Sequence, residues 1–199
     1  MERNFTLPVG LKLDHLSSDV ITRNIMSVRI CAGSYKSRRI VCPDDIRPTS
    51  DRVKEALFSA LLIDFKGLDV LDVFAGSGAL GIEALSRGAK TVTFVDSSVS
   101  SINFIKKNTS LLGILEVCII IKSDARAYIK NCKKSFDLIF MDPPYNKGLA
   151  SQIAPELYFL IKPGGIMVIE HSPRELVNMS SYKQKYYGDT VLTFIRREV

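Results

Sequence analysis

Leu68-Asp69-Val70-Leu71-Asp72-Val73-Phe74-Ala75-Gly76-Ser77-Gly78-Ala79-Leu80-Gly81 is the stretch on which the fold turns. Leu68–Phe74 is an apolar run without polar alternation, which reads as a strand buried on both faces of a parallel sheet. Glycines follow at once, and helical periodicity then runs over Ala79–Arg87. The same pairing recurs outward along the chain. Runs rich in Val, Ile, Leu and Phe occupy Thr91–Asp96, Glu116–Lys122, Phe136–Met141 and Gly165–Glu170. Helical stretches lie between them at Ser98–Leu111, Asp124–Asn131 and Gly148–Leu160. Strand–helix alternation of this kind predicts an α/β fold with a doubly wound, mostly parallel sheet.

Both flanks depart from the pattern. Tyr182–Tyr187 and Thr190–Arg196 are separated only by Gly188-Asp189, so the sheet is expected to end in an antiparallel hairpin, for seven strands in all. Upstream, Val28–Ala32 and Arg38–Cys42 bracket Gly33-Ser34, which predicts a small N-terminal hairpin. Thr49-Ser50-Asp51 reads as an N-cap with an acid in the first turn. A helix from Asp51 to Leu62 is expected to follow, with Val53, Leu57, Ala60 and Leu61 on one face. Residues 1–25 show no element and are read as a disordered extension, with Met26 a candidate start site. Residues 26–199 are expected to form one domain, divided into 26–63 (hairpin and helix) and 64–199 (cofactor-binding and catalytic sheet). Lys162-Pro163-Gly164-Gly165 is read as a structural turn into the fifth strand.

The 199 residues suit a single domain that buries about 70% of its unfolded surface. The longest apolar run, Val117–Ile121, is far short of a membrane span, and the first residues lack the apolar core of a secretion signal. Cys31, Cys42, Cys118 and Cys132 show no CxxC spacing, which argues against a zinc or dithiol site and fits the cytoplasm. Lys and Arg total 27 against 21 Asp and Glu, a net charge of +6 that leans toward an anionic partner. Between Val28 and Lys54 the cations Arg29, Lys36, Arg38, Arg39, Arg47, Arg52 and Lys54 face only Asp44, Asp45 and Asp51. Lys36, Arg38 and Arg39, beside Tyr35, suit phosphate contact, and Arg47 and Arg52 are added as nucleic-acid contacts.

Gly76, Gly78 and Gly81 match GxGxxG, with Asp96 twenty residues past Gly76, the spacing of a dinucleotide fingerprint. Three features argue against a nicotinamide cofactor. Asp72 would repel a pyrophosphate; no residues remain for a substrate domain; and the terminal hairpin does not match the sixth parallel strand of that fold. An amino-acid sulfonium nucleoside suits these residues better. Asp72, Phe74, Gly76 and Gly78 would meet its methionine end, Asp96 its ribose hydroxyls, and Asp124 with the Ala125 backbone its adenine amine.

The most informative stretch is Phe136-Asp137-Leu138-Ile139-Phe140-Met141-Asp142-Pro143-Pro144-Tyr145. Its prolines end the strand and leave carbonyls without ladder partners. The Asp142 side chain and a carbonyl near Pro143 can then accept from one exocyclic NH2. An aromatic-ring amine is a poor nucleophile because its lone pair is delocalised, and two acceptors on its hydrogens favour the pyramidal nitrogen that can attack. Tyr145 can stack on the base, and its hydroxyl is read as dispensable. No Cys lies near the prolines to serve as a pyrimidine-C5 nucleophile, and no GxSxG is present. His15 falls in the extension, and His171, after Glu170, is read as a supporting residue. With no His or Cys near the acids, no metal is expected.

Asp142-Pro143-Pro144-Tyr145 together with Asp72…Gly76-Ser77-Gly78 resembles the amino-methyltransferases of nucleic acids. Arg29–Gly33, Arg47-Pro48-Thr49-Ser50-Asp51-Arg52-Val53-Lys54-Glu55 and Asp72–Gly81 are similar to the bacterial 16S ribosomal RNA guanine-N2 methyltransferases, the small-subunit methyltransferase D family. The likeness runs from about Met26 to the end, and residues 1–25 depart from it. It implies a class I, Rossmann-like methyltransferase using S-adenosylmethionine, with 16S rRNA or an assembling small subunit as partner and a monomeric enzyme. A DNA or RNA adenine-N6 methyltransferase is the rival reading, since it shares the four-residue turn, but no target-recognition region is inserted here.

Overall fold

The structure is a computed structural model that describes residues 26–42, 51–145, 147–180 and 182–199. Residues 1–25, Arg47 and the expected cap Thr49-Ser50 lie outside the described residues.

The parallel strands form where the apolar runs predict: β3 (Asp69–Val73), β4 (Thr91–Asp96), β5 (Cys118–Lys122), β6 (Phe136–Met141) and β7 (Ile161–His171). The helices α2 (Ala79–Ser86), α3 (Val99–Leu112), α4 (Ala125–Asn131) and α5 (Leu149–Tyr158) alternate with them. The chain ends in β8 (Lys183–Tyr187) and β9 (Thr190–Arg196), and opens with β1 (Met26–Arg29), β2 (Arg39–Cys42) and α1 (Asp51–Leu61). Strand order in the seven-stranded sheet is β5-β4-β3-β6-β7-β9-β8. β9 is antiparallel to both β7 and β8, so β9 alone runs against the sheet and β8, at the edge, runs with it.

Each face of the sheet has its own core. Val70, Phe94, Phe140 and Phe194 pack on one side with α1, α2 and the β1–β2 hairpin. Leu71, Val95, Ile139 and Met167 pack on the other with α5 residues such as Ile153 and Leu157. α2 is buried from Leu80 to Ser86, because it lies between sheet and hairpin and its two polar residues, Glu83 and Ser86, bond to the hairpin connection. A β-carbon on Gly81 would come within 2.4 Å of the Phe94 ring, so this glycine sets how closely α2 approaches β4.

Three boundaries differ from the sequence reading. Lys162–Gly165 is a bulge inside β7, where the pairing moves from Phe136↔Ile161 to Leu138↔Ile166. Glu116 and Val117 belong to a 3-10 turn, and β5 is half exposed because it is an edge strand. β1 and β2 are shorter than predicted; their connection, residues 30–38, is closed by backbone bonds from the Ile30 amide to the Arg38 carbonyl at 2.9 Å and from the Ser37 amide to the Ile30 carbonyl at 2.8 Å, and is docked on α2. Glu83, fully buried, accepts from the amides of Cys31 at 2.8 Å and Ala32 at 3.0 Å, and the Ser34 amide donates to the Ser86 carbonyl at 2.7 Å. The buried Lys54 lies 3.7 Å from Glu83 and donates to the Arg29 carbonyl, tying α1 into the same junction. No helix of the described residues is long and apolar enough to cross a membrane.

Candidate active site

β3, β4, β6 and β7 all end, in the chain direction, at one cavity of about 750 Å3, the position at which open α/β sheets hold ligands. The glycine loop forms one wall. Phe74, Gly76 and Gly78 adopt left-handed φ values of 62°, 54° and 81°. Glycine accepts this conformation readily, whereas a bulky residue does so at a cost of about 1–3 kcal/mol, a strain typical of functional loops. Asp96, at the end of the neighbouring strand β4, clamps the loop on the same wall. Its Oδ2 accepts from the Gly76 amide at 2.9 Å and its Oδ1 from the Ser98 amide at 2.8 Å.

Asp72 is 2% exposed and stands in register between Phe94 and Phe140. It accepts from the Gly81 amide at 2.9 Å, an interaction that pins the first turn of α2. Burial pushes its carboxyl up to about 8; the Gly81 hydrogen bond opposes the rise and the Asp96 charge adds to it.

Asp142-Pro143-Pro144-Tyr145 forms the opposite wall. The ladder fades where the prolines begin: the Asp142 amide reaches the Val73 carbonyl only at 3.5 Å. The Tyr145 hydroxyl, read from the sequence as dispensable, has two side-chain partners here. It donates to Glu170 Oε1 at 3.0 Å and lies 3.0 Å from the Thr190 hydroxyl, joining the turn to β7 and β9. Burial, then the Glu170 charge, raises its pKa, so it stays a hydroxyl donor.

Of the expected cofactor residues, Asp72, Phe74, Gly76, Gly78 and Asp96 line the cavity or its glycine-loop wall. Asp124 and Ala125 do not. Asp124 caps α4 by accepting from the amides of Arg126 and Ala127, and it adjoins the cavity through Ser123, whose amide donates to the Asp96 carbonyl. The expected RNA contacts divide. Arg52 is exposed and adjoins Val53, which lines the cavity. Lys36, Arg38 and Arg39 lie toward the other end of the molecule. Tyr35, next to Lys36, donates its amide to Ser86 at the end of α2, and Arg38 donates to the Leu111 carbonyl near the end of α3. Both helices start at the cavity, and α2 alone is about 12 Å long. Arg39 donates to the Ser27 hydroxyl.

Sequence reading passes over Glu170, Thr190, Tyr187 and Val53, all of which line the cavity. They come from strands and a helix whose neighbours only the sheet order reveals. His171 is a buried support, bonded to the Ser172 carbonyl and the Thr193 hydroxyl. No Lys, Arg or His is among the described lining residues, while Asp72, Asp96, Asp142, Glu170 and Asp189 are. Those five acids favour ligands rich in donors or positive charge over a pyrophosphate.

The strand order, the single reversed strand β9 and the glycine loop facing Asp142-Pro143-Pro144-Tyr145 define a class I methyltransferase, the S-adenosylmethionine-dependent class. Residues 28–196 match the family model described as conserved hypothetical protein 95, and the chain belongs to this family. Ribosomal RNA small subunit methyltransferase D of Haemophilus influenzae is 38% identical over 150 residues, 72% of this chain and 78% of that protein. The protein of the same name from Escherichia coli K12 is 30% identical over 184 residues, 86% of this chain and 90% of its own length. A solved structure of a hypothetical protein from Thermus thermophilus superposes with a TM-score of 0.76 at 29% identity, covering 86% of this chain and 99% of that one.

Proposed function

We propose that this protein transfers a methyl group from S-adenosylmethionine to the exocyclic N2 amine of a guanine in 16S ribosomal RNA, acting as a monomer in the cytoplasm on free RNA or an assembling small subunit. The observation that carries the reading is one continuous cavity with the glycine loop and Asp96 on one wall and Asp142-Pro143-Pro144-Tyr145 on the other. The small-subunit RNA is proposed from the names of the relatives.

The residues present fit the cofactor. The cavity size is that of a small-molecule site, its described lining holds no cation, and buried Asp72 and clamped Asp96 suit an ammonium and a ribose diol. S-adenosylmethionine, when bound, supplies a methyl group made electrophilic by its sulfonium. Asp72, Phe74, Gly76 and Gly78 would hold the amino-acid end, Asp96 the ribose, and Asp124 with the Ala125 backbone the adenine edge. Asp142 and the Pro143 carbonyl accept from the target amine and localise its lone pair. Asp142 then takes or relays the proton that leaves nitrogen as the N–C bond forms and the C–S bond breaks. Tyr145 supports the base by stacking, with its ring fixed through Glu170 and Thr190. Arg52 grips phosphate near the cleft, with Arg47 a further contact on the same stretch. Lys36, Arg38 and Arg39 meet a part of the folded RNA remote from the target.

The test is tritiated-methyl transfer onto rRNA and DNA from a strain lacking the protein, followed by nucleoside analysis and mapping. Label in N2-methylguanosine of small-subunit rRNA is the expected result. Label in N6-methyladenine, or in DNA, would overturn it.

A further inference from the structure

Glu170 stands beside Asp142. β6 and β7 are parallel, and the register Met141↔Ile169 makes Asp142 and Glu170 the next residues of neighbouring strands, on the same face of the sheet. Adjacent strands are about 4.8 Å apart, so the two side chains leave the sheet as neighbours on the cavity side. Glu170 is 6% exposed and lines the cavity. Its Oε1 accepts from the Tyr145 hydroxyl at 3.0 Å. That bond ties the Glu170 carboxylate to the residue read as the stacking platform.

Base chemistry gives it a use. An exocyclic amine held at Asp142 has ring atoms on either side of it. For adenine N6 these include N1, a bare acceptor, with the acceptor N7 on the other side. For cytosine N4 they are the acceptor N3 and a C–H. Only guanine N2 is flanked by a ring N–H, at N1. A second carboxylate beside the amine site therefore accepts from guanine and faces a repelling lone pair on adenine or cytosine.

We infer that Glu170 is the residue that selects guanine, accepting from N1–H while Asp142 and the Pro143 carbonyl hold N2. This rests on the reading of the cavity as an amine-methylating site, and it explains why an Asp-Pro-Pro-Tyr turn shared with adenine methylases would act on guanine here. Specificity of this kind comes as much from the acceptor left facing a wrong base as from the bond made to the right one.

The test uses the full chain and one RNA bearing either guanine or 2-aminopurine at the mapped position. 2-Aminopurine keeps the N2 amine but presents N1 as an acceptor. Wild type should favour guanine in kcat/KM by about 10- to 150-fold, the range of a hydrogen bond to a charged group. Glu170→Gln can turn its amide N–H toward N1 and still accept from Tyr145, so the preference should shrink to about 3-fold or less. Affinity for S-adenosylmethionine, measured in parallel, should hold and reports an intact fold. Glu170→Ala, read by the same ratio, serves where the Gln variant fails to fold. A preference unchanged in these variants, or a wild type that uses both bases equally, overturns the assignment to Glu170 alone. A wild type that methylates no guanine N2 overturns the proposed function and this inference with it.

Discussion

At the N-terminal ends of β3 and β6, Asp69 and Asp137 share Lys162 at 3.3 and 2.8 Å, and Lys134 lies 3.2 Å from Asp69. Toward the C-terminal ends of the same two strands, Asp72 and Asp142 line a cavity whose described lining holds no cation. The Thr91 hydroxyl first, then Lys134 and Lys162, hold the Asp69 carboxyl down at about 2 against the opposing effect of burial. Asp72, three residues further along the strand, is pushed up to about 8 by burial. One residue type on the same strands thus does two jobs: paired acids fasten the sheet at one end, and acids line the ligand cavity at the other.

The sharpest way to break this contrast is to truncate one acid at each end of β6. Asp142→Ala should lower kcat by at least about 100-fold while S-adenosylmethionine affinity holds, because the lost acceptor matters most as the amine pyramidalises. Asp137→Ala should leave kcat within about 3-fold and lower only stability. Single-turnover methyl transfer and calorimetry on both variants check this. Equal catalytic losses would erase the difference between the two ends.

Asp96→Ala should weaken S-adenosylmethionine binding by about 10- to 150-fold, since it removes a charged acceptor and also frees the Gly76 amide that the carboxylate holds. Calorimetry showing unchanged affinity would remove Asp96 from the cofactor wall.

The smallest effects per step are in the pH dependence of stability, where the two ends carry opposite signs. Asp72 has a raised folded pKa. The native chain keeps a proton that the unfolded chain loses, so stability falls between about pH 4 and pH 8, by at most about 1.4 kcal/mol per unit. Asp72→Asn should flatten that slope in denaturant unfolding. Asp69 has a lowered folded pKa, so its contribution is present above about pH 4 and is lost as pH falls through about 2. Asp69→Asn should flatten the acid limb and leave the neutral limb unchanged. Matching slopes in the two variants would mean that the ends do not differ electrostatically.

What the sequence by itself determined is whatever is encoded over a few neighbouring residues. The apolar runs located the five parallel strands, Gly188-Asp189 the terminal hairpin, Gly76 and Gly78 the loop, and Asp142-Pro143-Pro144-Tyr145 the end of β6, because strand burial and turn chemistry are local properties. Tertiary structure alone decided the partners. The insertion of β9 between β7 and β8 brings Thr190 to Tyr145 across 45 positions, and Glu83 captures Cys31 across 52. Nothing near Lys36 or Arg38 in the chain says that their loop docks on the trailing ends of α2 and α3, away from the cleft. Nothing near Glu170 says that it stands beside Asp142, since that depends on which strand β6 takes as its neighbour. Charge on a side chain can be read from its letter, but its pKa and its use depend on which distant groups the sheet order places within a few ångströms of it.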